Sequence, residues 1–81
     1  MLVTIRLFAR LRELAGHSEL QRDLPDDSTV RTAWELTVGE FPSLRDYERS
    51  LSAAVNADYA RFTTKLQDGD EVAFLPPVSG G

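Results

Sequence analysis

Asp68-Gly69-Asp70-Glu71-Val72-Ala73-Phe74-Leu75-Pro76-Pro77-Val78-Ser79-Gly80-Gly81 is the stretch on which the reading of this chain turns. Asp68-Gly69-Asp70 is turn chemistry. Val72 and Phe74 alternate with Ala73 and Leu75, the period of a strand with two distinct faces. Pro76 and Pro77 stop that strand, because neither can donate a ladder hydrogen bond. The same prolines favour a stiff, extended backbone, and Gly80 and Gly81 remove every side chain from the tip. The expected division is therefore a folded domain over residues 1–75 and a flexible diglycine tail over 76–81.

Working back from this stretch, Val3, Ile5 and Leu7 alternate with Thr4 and Arg6 as a half-buried strand. The period changes at Phe8, since Phe8, Leu11, Leu14 and Ala15 fall at helical spacing and Gly16 is a natural stop. Leu20, Arg22 and Leu24 read as a second strand near an edge. Pro25-Asp26-Asp27-Ser28 is a turn, after which Ser28 or Thr29 caps a helix with Val30, Ala33, Trp34 and Val38 as its apolar stripe. Thr37 interrupts that stripe, and Gly39 and Pro42 are expected to end the helix. Pro42 to Arg49 reads as a polar connection anchored by Leu44 and Tyr47. Leu51, Ala53 and Val55 make a third strand, Asn56-Ala57-Asp58 turns it, and Tyr59 to Phe62 is a short strand after the turn.

The predicted class is α+β: a mixed sheet of four to five strands, one long helix packed across it, and a short helix in the first hairpin connection. If the first and last strands lie side by side at the centre, this is a β-grasp arrangement. Val3, Ile5, Leu7, Val30, Ala33, Trp34, Val55, Val72 and Phe74 are expected to share its core.

A chain of 81 residues holds one domain with a thin core, which argues against a deep catalytic cleft. There is no Cys, hence no disulfide, no thiolate metal site and no internal sulfur nucleophile. The net charge of −4 argues against wrapping nucleic acid or anionic lipid. No apolar run approaches the roughly 18–20 residues of a membrane span, and no signal peptide is read, so a cytoplasmic protein is expected. No Ser/His/Asp arrangement, metal spacing or phosphate loop is visible. His17 reads as a solvated turn residue, Asp68, Asp70 and Glu71 as a hairpin turn and Trp34 as core. Arg10 and Arg12 read equally well as a solvated helix face or as contacts for a partner's acidic groups.

The chemistry then falls to the tail. A slim tip enters a narrow channel and presents its carboxylate without hindrance. Adenylation turns that carboxylate into a mixed anhydride, which an external sulfur nucleophile converts to a thiocarboxylate.

Phe8-Ala9-Arg10-Leu11-Arg12-Glu13-Leu14-Ala15-Gly16, Ala54-Val55-Asn56 and the whole of 68–81 resemble the small, sulfur-carrier subunit of molybdopterin synthase, in the same order and over nearly the full chain. The resemblance implies a ubiquitin-like β-grasp fold, adenylation of Gly81 by an E1-like, ATP-consuming enzyme and loading with sulfur by a sulfurtransferase relay. It implies insertion of the tail into the large synthase subunit, in a heterotetramer, and sulfur transfer to cyclic pyranopterin monophosphate to form the molybdopterin dithiolene. On this reading the chain is not an enzyme on its own and binds no cofactor or metal; Gly81 carries the sulfur, and Gly80, Ser79, Val78, Pro77 and Leu75 contact the partner. Where the family often has an aromatic, Leu75 keeps the site apolar. Three alternatives stay open: a carrier for thiamine synthesis or tRNA thiolation, a ubiquitin-like protein modifier, and a plain interaction domain. The Phe8-to-Gly16 insertion and the Pro-Pro-Val stretch favour molybdopterin over thiamine.

Overall fold

The computed structural model describes residues 1–77. Its elements are β1 (Leu2–Leu7), α1 (Ala9–Ala15), β2 (Glu19–Asp23), α2 (Val30–Glu40), a 3-10 helical segment (Pro42–Ser50), β3 (Ser52–Val55), β4 (Asp58–Ala60) and β5 (Glu71–Leu75). The five strands form one sheet in the order β2-β1-β5-β3-β4. β1 and β5 are parallel neighbours, with Ile5 opposite Val72 and Leu7 opposite Phe74; the other pairings are antiparallel. This is the expected β-grasp, at the upper end of the expected strand count.

The alternation in β1 and β5 sends Val3, Ile5, Leu7, Val72 and Phe74 inward, where they are essentially inaccessible. α2 lies over this face. Its Trp34 ring meets the Phe74 ring edge-on, with centroids 5.1 Å apart. Thr29 rather than Ser28 caps α2, in a reciprocal arrangement with Thr32. Ser28 instead donates its hydroxyl to the Pro25 carbonyl at 2.6 Å. Gly16 ends α1 in the left-handed region, φ 77°, as expected.

The structure corrects the sequence reading in several places. Gly39 does not end α2; the helix runs through it to Glu40, and the Phe41 N–H closes it on the Thr37 carbonyl at 2.8 Å. Thr37 does not weaken the apolar stripe. It is fully buried, and its hydroxyl donates back to the Ala33 carbonyl at 2.7 Å, which satisfies the group within the helix. The connection after α2 is helical, not irregular, and Leu44 plugs it into the core.

β4 covers Asp58–Ala60 and stops short of Phe62. The chain leaves the sheet there to serve α2. The Phe62 and Thr64 carbonyls accept the N–H groups of Arg31 and Val30, both at 3.0 Å, so two donors of the first helical turn find partners. β3 buries Ala53 and Ala54 in succession, one on each face, while Val55 is only half-buried at the rim of the core.

Two polar ties fasten α2 and the segment behind it. Arg22 of β2 clasps both Glu40 oxygens, at 2.8 and 2.7 Å. The Trp34 indole N–H donates to Glu48 Oε1 at 2.9 Å. That bond, more than the charges of Arg45 and Arg31, holds the Glu48 carboxyl below the usual carboxylate range; desolvation opposes it. Glu40 is lowered in the same direction, chiefly by its hydrogen bond from Arg22.

Two outcomes follow from this packing. Phe74→Ala should cost about 3–5 kcal/mol in urea unfolding, the usual loss for a fully buried aromatic. A cost below about 1 kcal/mol would mean that the ring does not fill the core as described. Both carboxyls have folded values below their unfolded ones. Their contribution to stability is therefore present above the ordinary carboxylate range and is lost as the pH falls through the depressed folded values. Thermal unfolding across the acid range should show this decline, and Glu48→Gln should flatten it.

Candidate functional site

β5 delivers the chain to its tail. Leu75 is the last residue of the strand, Pro76 is half-buried and Pro77 is exposed. The sequence-predicted site residues Val78, Ser79, Gly80 and Gly81 lie outside the described residues. Of that set the structure places Leu75 and Pro77, at the C-terminal end of the central strand pair.

The residues of β5 that do not face α2 point to the open side of the sheet. Ala73 sits opposite Ala54, and Ala54 is in turn opposite Tyr59. Together with Phe8 and Leu75 they line a shallow groove of about 350 Å³, with Arg6 and Glu71 along it. Tyr59 is 85% exposed, an unusual position for a large aromatic ring with no packing role. A largely apolar groove thus lies beside the end of β5.

Sequence reading missed most of this groove. Phe8 looked like the first residue of a helical stripe, but it is the extended N-cap of α1, φ −121°, and its ring lies on the sheet face. Tyr59 was legible through the turn before it. Asn56 and Ala57 both take positive φ, 50° and 74°, as a two-residue hairpin turn requires. That turn fixes the register and puts Tyr59 on the same face as Ala54.

The acidic turn before β5 belongs to the fold. Asp68 Oδ1 accepts the Leu2 N–H at 2.7 Å. Asp70 accepts from the Gln67 N–H and the Asn56 side-chain amide, at 2.8 and 2.9 Å. Asn56 closes the set by accepting the Glu71 N–H at 2.9 Å. The turn is not that of a hairpin, since the preceding Lys65 bridges Thr29 at the start of α2 and not β5. Among the described residues no cluster of His, Asp and Glu is gathered as a metal site, and no helix is long and apolar enough to cross a membrane. His17 is exposed, with its ring 5.8 Å from that of Phe41. Arg10 stands 3.6 Å from Glu13 on the outside of α1.

The fold is that of the ubiquitin-like β-grasp proteins. The chain belongs to the ThiS family, whose model matches residues 5–81. It is 37% identical to the molybdopterin synthase sulfur carrier subunit of Arabidopsis thaliana, over 98% of this chain and 82% of that protein. To the subunit of the same name in Escherichia coli it is 37% identical, over 99% of this chain and the whole of that one. Among solved structures it is similar to SAMP1, the small archaeal modifier protein 1 of Haloferax volcanii. That likeness has a TM-score of 0.88 and 32% identity and covers both chains completely.

If the groove serves docking and not stability, its most exposed member is dispensable to the fold. Tyr59→Ala should shift stability by no more than about 0.5 kcal/mol in urea unfolding, the range typical of surface substitutions. A markedly larger loss would show that the ring supports the sheet.

Proposed function

We propose that this chain is the sulfur carrier of a molybdopterin synthase. The observation that carries the reading is the family match that runs through the diglycine end, together with full-length relatives named for that role. In this reading Gly81 is adenylated by an E1-like enzyme, with ATP consumed and pyrophosphate released. A sulfurtransferase relay then supplies the sulfur nucleophile, AMP leaves, and a terminal thiocarboxylate forms. The tail enters the large synthase subunit, in a heterotetramer, and sulfur passes to cyclic pyranopterin monophosphate. Two dithiolene sulfurs call for two carrier turnovers.

The chain contributes position and a leaving sulfur; the large subunit contributes the catalytic residues. The body over 1–75 docks by its sheet-face groove, with Leu75 and Pro77 at the mouth of the partner's channel. Val78, Ser79 and Gly80 line the path to the reacting end. The carrier itself holds no cofactor and no metal, and it works in the cytoplasm.

A second reading has support of its own. The likeness to a small archaeal modifier protein favours a chain that is also joined to other proteins through an isopeptide bond, after the same activation step.

The test is the intact mass after incubation with the activating enzyme, ATP and a sulfur donor. A gain of about 16 mass units marks one oxygen exchanged for sulfur at the terminus. Deleting Gly81 should abolish sulfur transfer and leave unfolding unchanged. A residue spans at most ~3.3–3.6 Å and reacting atoms must come within about 3–3.5 Å, so the shortened end stops a full reaction distance away. Full transfer by the deletion variant would overturn the carrier reading. Adducts on target lysines would establish the second one.

A further inference from the structure

The groove on the open sheet face is lined mainly by apolar and aromatic side chains, with two charged ones, Arg6 and Glu71. Arg6 lies along it, with its guanidinium carbon 5.4 Å from the centre of the Phe8 ring. A guanidinium carries five N–H donors and no acceptor. Among the described residues none of those donors has a hydrogen-bonded partner. Glu71 Oε1 stands 3.8 Å from Nη1, near enough for an ion pair but beyond hydrogen-bond length. The Arg6 Nε is shut off from solvent and has no acceptor.

Other arginines in the same chain are treated differently. Arg22 has both carboxylate oxygens of Glu40 within 2.8 Å, and Arg45 reaches Glu35 and Glu48 at 3.2 and 3.0 Å. Arg6 instead depends on water at its outer nitrogens, since its side chain is 42% exposed. Anything that covers the groove removes that water. A desolvated guanidinium without a close acceptor is strongly unfavourable. Glu71 does not remedy this, because it stands to one side, is itself 45% exposed and approaches a single nitrogen.

The geometry points to Arg6 as the specificity residue of the docking face: the partner that covers the groove places a carboxylate side chain on the Arg6 guanidinium. This deepens the carrier reading and rests on it, since it takes the groove to be the docking surface. The Phe8 ring holds the planar fork in place, and a planar fork matches a carboxylate in two-point contact. The apolar residues around it shield the pair from screening. A partner that offers only apolar side chains at this point would leave the cation buried and unpaired, so the same residue that accepts the right partner rejects others.

The experiment is titration calorimetry of the full chain against the large molybdopterin synthase subunit of the same organism, at low and high salt. Wild type, Arg6→Met, Arg6→Lys and Tyr59→Ala are compared, with circular dichroism to check the fold of each. Arg6→Met should bind at least about tenfold more weakly at both salt concentrations, as when one member of a buried, hydrogen-bonded charge pair is removed. Arg6→Lys keeps the charge without the fork and should fall between. If Tyr59→Ala weakens binding while both Arg6 variants bind like wild type, the Arg6 proposal fails and the groove stands as the docking surface. If all three variants bind like wild type, the docking reading fails with it. A loss in Arg6→Met that Arg6→Lys fully restores would show that a point charge suffices and would overturn the two-point carboxylate contact.

Discussion

The parallel pairing of β1 with β5 is the contact on which every other element of this molecule depends. Parallel neighbours cannot be joined by a tight turn; they need a crossover that carries the chain back to the starting end. Here everything between residues 8 and 70 serves as that crossover, and α2 is its main body. Once Ile5 faces Val72 and Leu7 faces Phe74, the inner surface has the apolar width that α2 needs. The Trp34–Phe74 contact then fixes where the helix lies. The remaining strands fill the two flanks, β2 beside β1 and the β3–β4 hairpin beside β5.

β5 also joins the two faces of the sheet. Its even-numbered residues, Val72 and Phe74, belong to the core, and its odd-numbered ones, Ala73 and Leu75, belong to the groove. Its end leads into the tail. Core and groove are thus carried by one five-residue strand, yet on separate positions. The alternation of a strand keeps them separate, because neighbouring side chains point to opposite faces. Arg6 continues this logic on β1. It sits between the buried Ile5 and Leu7 and stands with Glu71 as a charged member of a mainly apolar groove.

Much of this was legible before any coordinates. The clean alternation of β1 and β5, the Gly16 stop and the Asp68-Gly69-Asp70 turn each have one local physical meaning, and each appears where expected. The elements that were not legible are those decided by distant partners. Gly39 is tolerated inside α2 because the surrounding packing outweighs its weak helix propensity. Thr37 is core because the helix backbone satisfies its hydroxyl. Phe62 leaves the sheet because α2 needs carbonyls at its first turn, a demand that no pattern within residues 59–62 reveals. The groove was hidden for a similar reason. Phe8, Ala54, Tyr59 and Ala73 come from four separate parts of the chain, and only the register of the assembled sheet brings them together. The diglycine end is read from its covalent chemistry and not from packing, and it lies outside the described residues.

The crossover between β1 and β5 also sets an order of events during synthesis. β1 emerges from the ribosome first and β5 last, and until Leu75 is free β1 has only β2 for company. A lone hairpin is marginal in water, and contacts between residues as distant as 4 and 71 form late. Before that moment Trp34 has no Phe74 to meet, and the outer surface has neither Ala73 nor Leu75. A nascent or truncated chain therefore displays no groove. A protein that recognised the groove would thus meet it only on finished, folded chains.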